Sequence, residues 1–248
     1  SATGFSIIYL RGVGSDAFLM ADPSVATYID GIYYPFASGL AQSFGKVERI
    51  EVLKGPQGTL FGRNTTGGAI SFTTEQPSFD EVYGSIDASY GSFNARQTAA
   101  LINVPVTDWF ATSLALFYNE SDQYYTFDPE SKQQNMDVER AAGGRFKMKF
   151  ASEHFDLLLA AVKVKQSGYN TALAANTRAS EQAKLQGAES QPRDHTISVD
   201  APLNFDIDSE VLSGEFNAYL DHFDIKLLAS HQTLENYGQS DFDGTNAS

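Results

Sequence analysis

Residues 47–74 read VERIEVLKGPQGTLFGRNTTGGAISFTT. The alternation of Val47 to Leu53 predicts a strand. A loop with glycines at 55, 58, 62, 67 and 68 follows it, and then a second β-rich run, Ala69 to Thr74. Glycine at this density marks backbone that turns sharply or packs closely against another segment. A phosphate-cradling loop would need a strand, GxxxxGK[ST] and then a helix. Here Gly62 is followed by Arg63 and Asn64, and the next segment is β-like. Gly12 and Gly14 have no glycine at position 17, so the dinucleotide fingerprint is also incomplete.

Two further stretches lie upstream, IYLRGVG at 8–14 and ATYIDGIYY at 26–34. With 47–74 they make three ordered matches, and together they resemble the plug-domain signature of TonB-dependent outer-membrane receptors. The resemblance implies a mixed α/β plug domain over 1–76, followed from 77 to 248 by antiparallel transmembrane β-barrel strands. It also implies a bacterial outer-membrane location, with a TonB-type energy-coupling protein as partner. The ligand would be a scarce small molecule such as a ferric siderophore or another metal chelate. In such receptors the plug blocks the barrel lumen until an inner-membrane complex pulls on its N-terminal segment, which here is expected to precede Ser1.

Composition fits this picture. No apolar run approaches the roughly 20 residues of a membrane helix, yet barrel strands give a weak hydropathy signal, and the mean hydropathy is -0.26. There is no cysteine, which excludes disulfides, thiolate metal sites and cysteine nucleophiles. The net charge of -14 is unevenly spread: residues 1–77 hold five Lys/Arg and six Asp/Glu, and residues 78–248 hold 12 and 25. Acidity on this scale disfavours nucleic acid, whose binders carry basic patches.

The periodicity changes near Glu75-Gln76-Pro77. Beyond it, Val82, Ile86, Ala88 and Tyr90 alternate with Ser85, Asp87 and Ser89. Phe110, Leu114, Leu116 and Tyr118 share one face, Phe146, Met148 and Phe150 oppose Arg145, Lys147 and Lys149, and Leu212, Phe216, Ala218 and Leu220 oppose Glu215 and Asn217. Period two over about ten residues is what a membrane strand needs, with one face to lipid and one to the lumen. About seven strands are predicted, at 82–91, 94–105, 109–120, 139–150, 154–165, 210–221 and 223–235. Their connections alternate between tight turns and the long polar stretches 121–139 and 166–209, as in barrels with short periplasmic turns and long outer loops. Aromatics gather at strand ends. A soluble β-sandwich also alternates but does not predict this asymmetry. Plugged transporters have about 22 strands, so the chain is expected to hold a plug and roughly the first third of a barrel.

No catalytic constellation is present: there is no HExxH or GxSxG, and His154, His195, His222 and His231 are dispersed. The expectation is a transporter, not an enzyme, with no cofactor and no metal site of its own. Two alternatives share parts of the pattern, a non-transporting signalling receptor with the same plug and a soluble β-rich protein. By the resemblance, Arg11 and Lys54 match cations that face acidic residues of the barrel wall, and Gly55, Gly58, Gly62, Gly67 and Gly68 form the tightly turned plug core. Phe18, Met20, Tyr34 and Phe36, on or beside the loops 15–24 and 35–43, are candidates to face the ligand.

Overall fold

A computed structural model of the chain describes residues 8–14, 23–35, 47–62, 64–122, 126–127, 139–168, 196–197 and 204–239. The first sheet has four strands in the order β2-β1-β4-β3, with β1 at Val25–Ile29, β2 at Ile32–Tyr34, β3 at Val47–Lys54 and β4 at Gly68–Thr74. β1 runs parallel to β4, and the other two pairings are antiparallel. The glycine-rich stretch after β3 carries a single helical turn, α1, Gly58–Phe61. That turn closes the core of this sheet, in which Tyr28 and Ala69 are buried and Phe61 meets the Tyr28 ring edge-on at 5.0 Å. The Tyr28 hydroxyl donates to the Phe61 carbonyl.

Two tight turns account for two of the motifs. Asp30 (φ 50°) and Gly31 (φ 79°) join β1 to β2, both in the left-handed region, which is the type I′ geometry that Asp-Gly favours. Arg11 (φ 52°) and Gly12 (φ 79°) do the same between Leu10 and Val13, whose amides and carbonyls exchange hydrogen bonds at 2.9 and 3.0 Å.

The second sheet has seven strands in the order β13-β12-β10-β9-β7-β6-β5, each antiparallel to its neighbours. They are β5 Tyr83–Tyr90, β6 Arg96–Thr107, β7 Phe110–Ser121, β9 Glu139–Ala151, β10 Phe155–Gly168, β12 Asn204–Tyr219 and β13 Asp224–Gln239. The alternation places all seven. The largest difference is β12, which begins at Asn204 and not at 210. Its first residues alternate Phe205, Ile207 and Val211, which are buried, with Asp206, Asp208 and Glu210, so the apolar parity is the reverse of that of Leu212 and Phe216 and the two halves do not read as one strand. Two short strands, β8 (Thr126–Phe127) and β11 (Thr196–Ile197), pair in parallel and bring the two long connections together.

Register fixes the faces. Ser113 pairs with Lys147, Lys147 with Ala160, Ala160 with Ser213 and Ser213 with Ser230, so these residues share the face that the small sheet packs against. The opposite face carries Ile102, Leu114, Leu116, Phe146, Leu212 and Leu227, all exposed. Among the described residues the sheet does not close, and no helix is long and apolar enough to cross a membrane, which says nothing of crossing by strands.

Candidate functional site: the seam between plug and wall

The two sheets meet at a polar seam. Lys147, in the middle of β9, is 1% exposed and reaches across to the small sheet. Its ammonium donates to the Thr74 hydroxyl at 2.7 Å and to the carbonyls of Thr74 and Glu75 at 3.3 and 3.2 Å. It also lies 3.1 Å from Asp30 Oδ2. The same Asp30 carboxylate accepts the Thr74 amide at 2.8 Å and the Thr74 hydroxyl at 2.7 Å. Thr74 thus relays between the buried cation and the carboxylate. An ammonium has three donors and no acceptor, and the partners around Lys147 are enough to use them all.

Local structure makes this arrangement possible. The type I′ turn points Asp30 back along β4 to the last residue of that strand, Thr74, and the parity of β9 aims Lys147 at the same spot. Desolvating a lysine costs several kcal/mol unless its charge is paired and its donors are filled, so the seam is stable only while all three partners stay in place. Arg145, two residues away on the same face, is buried and acts electrostatically on Asp30 and Tyr34. Burial pushes the Tyr34 hydroxyl up to about 12, a rise that Arg145 opposes and Asp30 reinforces.

Two further ties flank the lysine. Asn103 on β6, fully buried, accepts the Ser78 amide at 3.0 Å and donates to the carbonyls of Ser78 and Glu81 at 3.1 and 2.9 Å, which pins the segment leading into β5. On β13, Gln232 donates to the Tyr33 carbonyl at 2.9 Å. The side chain of Leu228 lies 3.2 Å from where a Cβ on Gly31 would sit.

The residues singled out from sequence fall in several places. Arg11 sits in its exposed turn, and among the described residues neither Arg11 nor Lys54 makes an ion pair with the wall. Gly67 and Gly68 pack inside the small sheet: a Cβ on Gly67 would meet Val13 at 3.0 Å and Val25 at 3.1 Å, and one on Gly68 would meet the Leu53 carbonyl oxygen at 2.2 Å. Gly55, Gly62 and Gly68 have positive φ, whereas Gly58 opens α1 with no neighbour within 4 Å of its Cβ position. Among these glycines and the two turns, Gly31 is the one whose Cβ direction faces the wall. Tyr34 ends β2 and is half-buried, coupled electrostatically to Arg145, while Phe18, Met20 and Phe36 lie outside the described residues.

Sequence reasoning passed over Asp30, Thr74 and Lys147 as a unit. A signal was available for one of them: three cations, Arg145, Lys147 and Lys149, occupy alternate positions of a single strand.

Comparison with known proteins agrees with this architecture. Residues 1–69 match the protein-family model described as TonB-dependent Receptor Plug Domain. The chain is 29% identical to the pesticin receptor of Yersinia pestis over 149 residues, which is 60% of this chain and 22% of that protein. It is 34% identical to the catecholate siderophore receptor Fiu of Escherichia coli K12 over 114 residues, 46% of this chain and 13% of that protein. In fold it resembles the ferric yersiniabactin uptake receptor FyuA from Yersinia pestis with a TM-score of 0.79 at 22% identity, covering 96% of this chain and 37% of that one. The chain therefore spans about a fifth of the length of the pesticin receptor and about a third of the FyuA structure.

Proposed function

We propose that this chain is the plug and the first barrel strands of a bacterial outer-membrane receptor that imports a ferric siderophore or a similar metal chelate, powered by a TonB-type protein. The observation that carries the reading is the seam: a plug sheet fastened to the inner face of an alternating sheet through Asp30, Thr74 and Lys147. The family match over 1–69 and the resemblance to receptors for iron chelates support it. The complete protein would close a barrel of about 22 strands around the plug, with the apolar face of the sheet to lipid. It would work as a transporter, not an enzyme.

In this reading the seam holds the plug shut. A ligand that favours the unseated plug, or force on its N-terminal side, shifts a two-state equilibrium. Phe18, Met20 and Phe36 are assigned to the ligand side, and Tyr34 is assigned to plug seating because it is half-buried and coupled electrostatically to Arg145 and Asp30. Arg11 and Lys54 are assigned to acidic partners on barrel strands outside this chain.

The test is uptake of radiolabelled ferric siderophores by cells expressing the full-length receptor, with and without a functional TonB-type protein. Accumulation that depends on that protein is the expected result. Equal accumulation in both backgrounds, or a receptor that stays in aqueous solution without detergent, would overturn the proposal.

A further inference from the structure

Three tight turns at one end of the large sheet each carry an acid, one residue and then a phenylalanine: Asp108-Trp109-Phe110, Glu153-His154-Phe155 and Asp221-His222-Phe223. Phe110 and Phe155 start strands on the outward parity; Phe110 pairs with Phe150, and Phe155 lies diagonal to Phe216, whose partner is Leu157. Phe110 stacks on Phe150 at 4.6 Å and 11°, Trp109 lies 6.1 Å from Phe150, and Phe155 lies 5.9 Å from Phe216. Between the first two turns the outward surface is hollowed into a groove of about 310 Å³, lined by Trp109, Phe150, Ala151, Ser152, Phe155 and Leu157.

The polar groups of the groove are already used. Ala151 N–H donates to the Trp109 carbonyl at 2.9 Å and Ser152 N–H to the Phe155 carbonyl at 2.8 Å. The Ser152 hydroxyl oxygen accepts the amides of His154 and Phe155 at 3.3 and 3.2 Å. What remains is apolar, and it is continuous with the outward band of Leu114, Leu116 and Phe146. Trp109 and Phe155 are 56% and 41% exposed, too much for a wall without an occupant.

The turns that supply the groove's lining residues carry acids. Asp108 and Glu153 are exposed on the turns that supply Trp109 and Ser152, and the three turns contain no lysine or arginine. The nearest cations point the other way. Lys149 lies 5.7 Å from the Phe79 ring on the plug side, and Lys226 is paired with Glu215 at 2.8 Å in the lumen. An anionic headgroup would meet like charge here, whereas a primary ammonium would meet two carboxylates.

We propose that this groove holds one acyl chain of an aminophospholipid of the periplasmic leaflet, with the headgroup ammonium between Asp108 and Glu153. The inference rests on the outer-membrane reading above. Trp109 and Phe155 then serve as the walls of a lipid site and not only as interfacial anchors.

The experiment is native mass spectrometry of the full-length receptor exchanged into phosphatidylethanolamine, phosphatidylcholine or phosphatidylglycerol with identical chains. Wild type should retain phosphatidylethanolamine about two- to fivefold over the other two, the scale of one exposed ion pair. Asp108→Asn with Glu153→Gln should bring the three lipids level while still retaining a chain, and Leu157→Trp should lower retention of all three. Equal retention by wild type, a preference that survives the double substitution, or cross-linking of position 157 to a protein instead of lipid would overturn the inference. Heat-modifiable migration on gels reports barrel folding separately. If it is lost in wild type, the membrane reading fails; if it is kept without lipid selectivity, only this inference fails.

Discussion

Lys147 of the wall and Thr74 of the plug, 73 residues apart in the chain, share a 2.7 Å hydrogen bond in which the threonine hydroxyl accepts from the ammonium and donates onward to Asp30. The bond ties the end of β4 to the middle strand of the large sheet. Moving the plug requires breaking it in a place where water does not readily replace it.

Lys147→Ala should therefore loosen the plug without unfolding the strands. Removing one partner of a buried ion pair costs about 3–5 kcal/mol, so hydrogen exchange at the Thr74 amide should quicken by about two to four orders of magnitude. Asp30→Asn should act in the same direction, and the double variant should cost less than the two single effects added, since the pair is one unit. Additive effects would show that Asp30 and Lys147 are not coupled.

Glycines of the plug should split by environment. Gly68 sits at φ 140° with the Leu53 carbonyl against its open side, and a side chain there should cost at least about 1–3 kcal/mol from backbone strain alone. Gly67→Val meets Val13 and Val25 and should also hurt, by overpacking and not by backbone strain. Gly58→Ala meets nothing and should be neutral. Protease nicking of the plug in the folded receptor reads the order; a Gly58 effect as large as that of Gly68 would contradict it.

On the large sheet, Leu116→Arg should impair assembly by about 2–4 kcal/mol if the site lies near the bilayer midplane. Lys147→Arg, which strand parity alone suggests as a tolerated control, is unsuitable, because the lysine is buried and engaged with Thr74 and Asp30. Gln97→Arg, exposed on the luminal face of β6, is the proper control and should assemble normally. Comparable loss of heat-modifiable barrel in both would reject the assignment of faces.

Tyr34 supplies a pH prediction. Its hydroxyl is raised from 10.0 to about 12, by burial first, then with Arg145 opposing and Asp30 adding. A group held protonated in the folded state contributes stability that is complete below its unfolded value and declines as pH rises through the folded one. Plug stability should therefore hold to about pH 10 and fall between about 10 and 12. Tyr34→Phe should flatten that part of the profile, measured as the thermal midpoint against pH. An unchanged slope in the variant would assign the loss to other groups.

How much of this was legible beforehand depends on the range of the interaction involved. Strand parity is local. Phe146, Met148 and Phe150 against Arg145, Lys147 and Lys149 already state which side of β9 is apolar, and the same holds for Leu114 and Leu116 on β7. The Asp30-Gly31 turn was likewise readable, because type I′ geometry selects that dipeptide from the backbone alone. The start of β12 was not, since its apolar residues change from the plug-side parity at Phe205, Ile207 and Val211 to the outward parity at Leu212 and Phe216.

By itself, the sequence determined the presence of the seven long strands and the apolar face over most of their length, because a side-chain period of two needs no distant partner. Tertiary structure alone decided that Lys147, and not its neighbours Arg145 or Lys149, meets Thr74 and Asp30. That pairing depends on the depth at which the plug sheet seats against the wall and on the stagger of the strands, which set the height of each luminal residue. These are properties of the assembled sheets, and no local pattern encodes them.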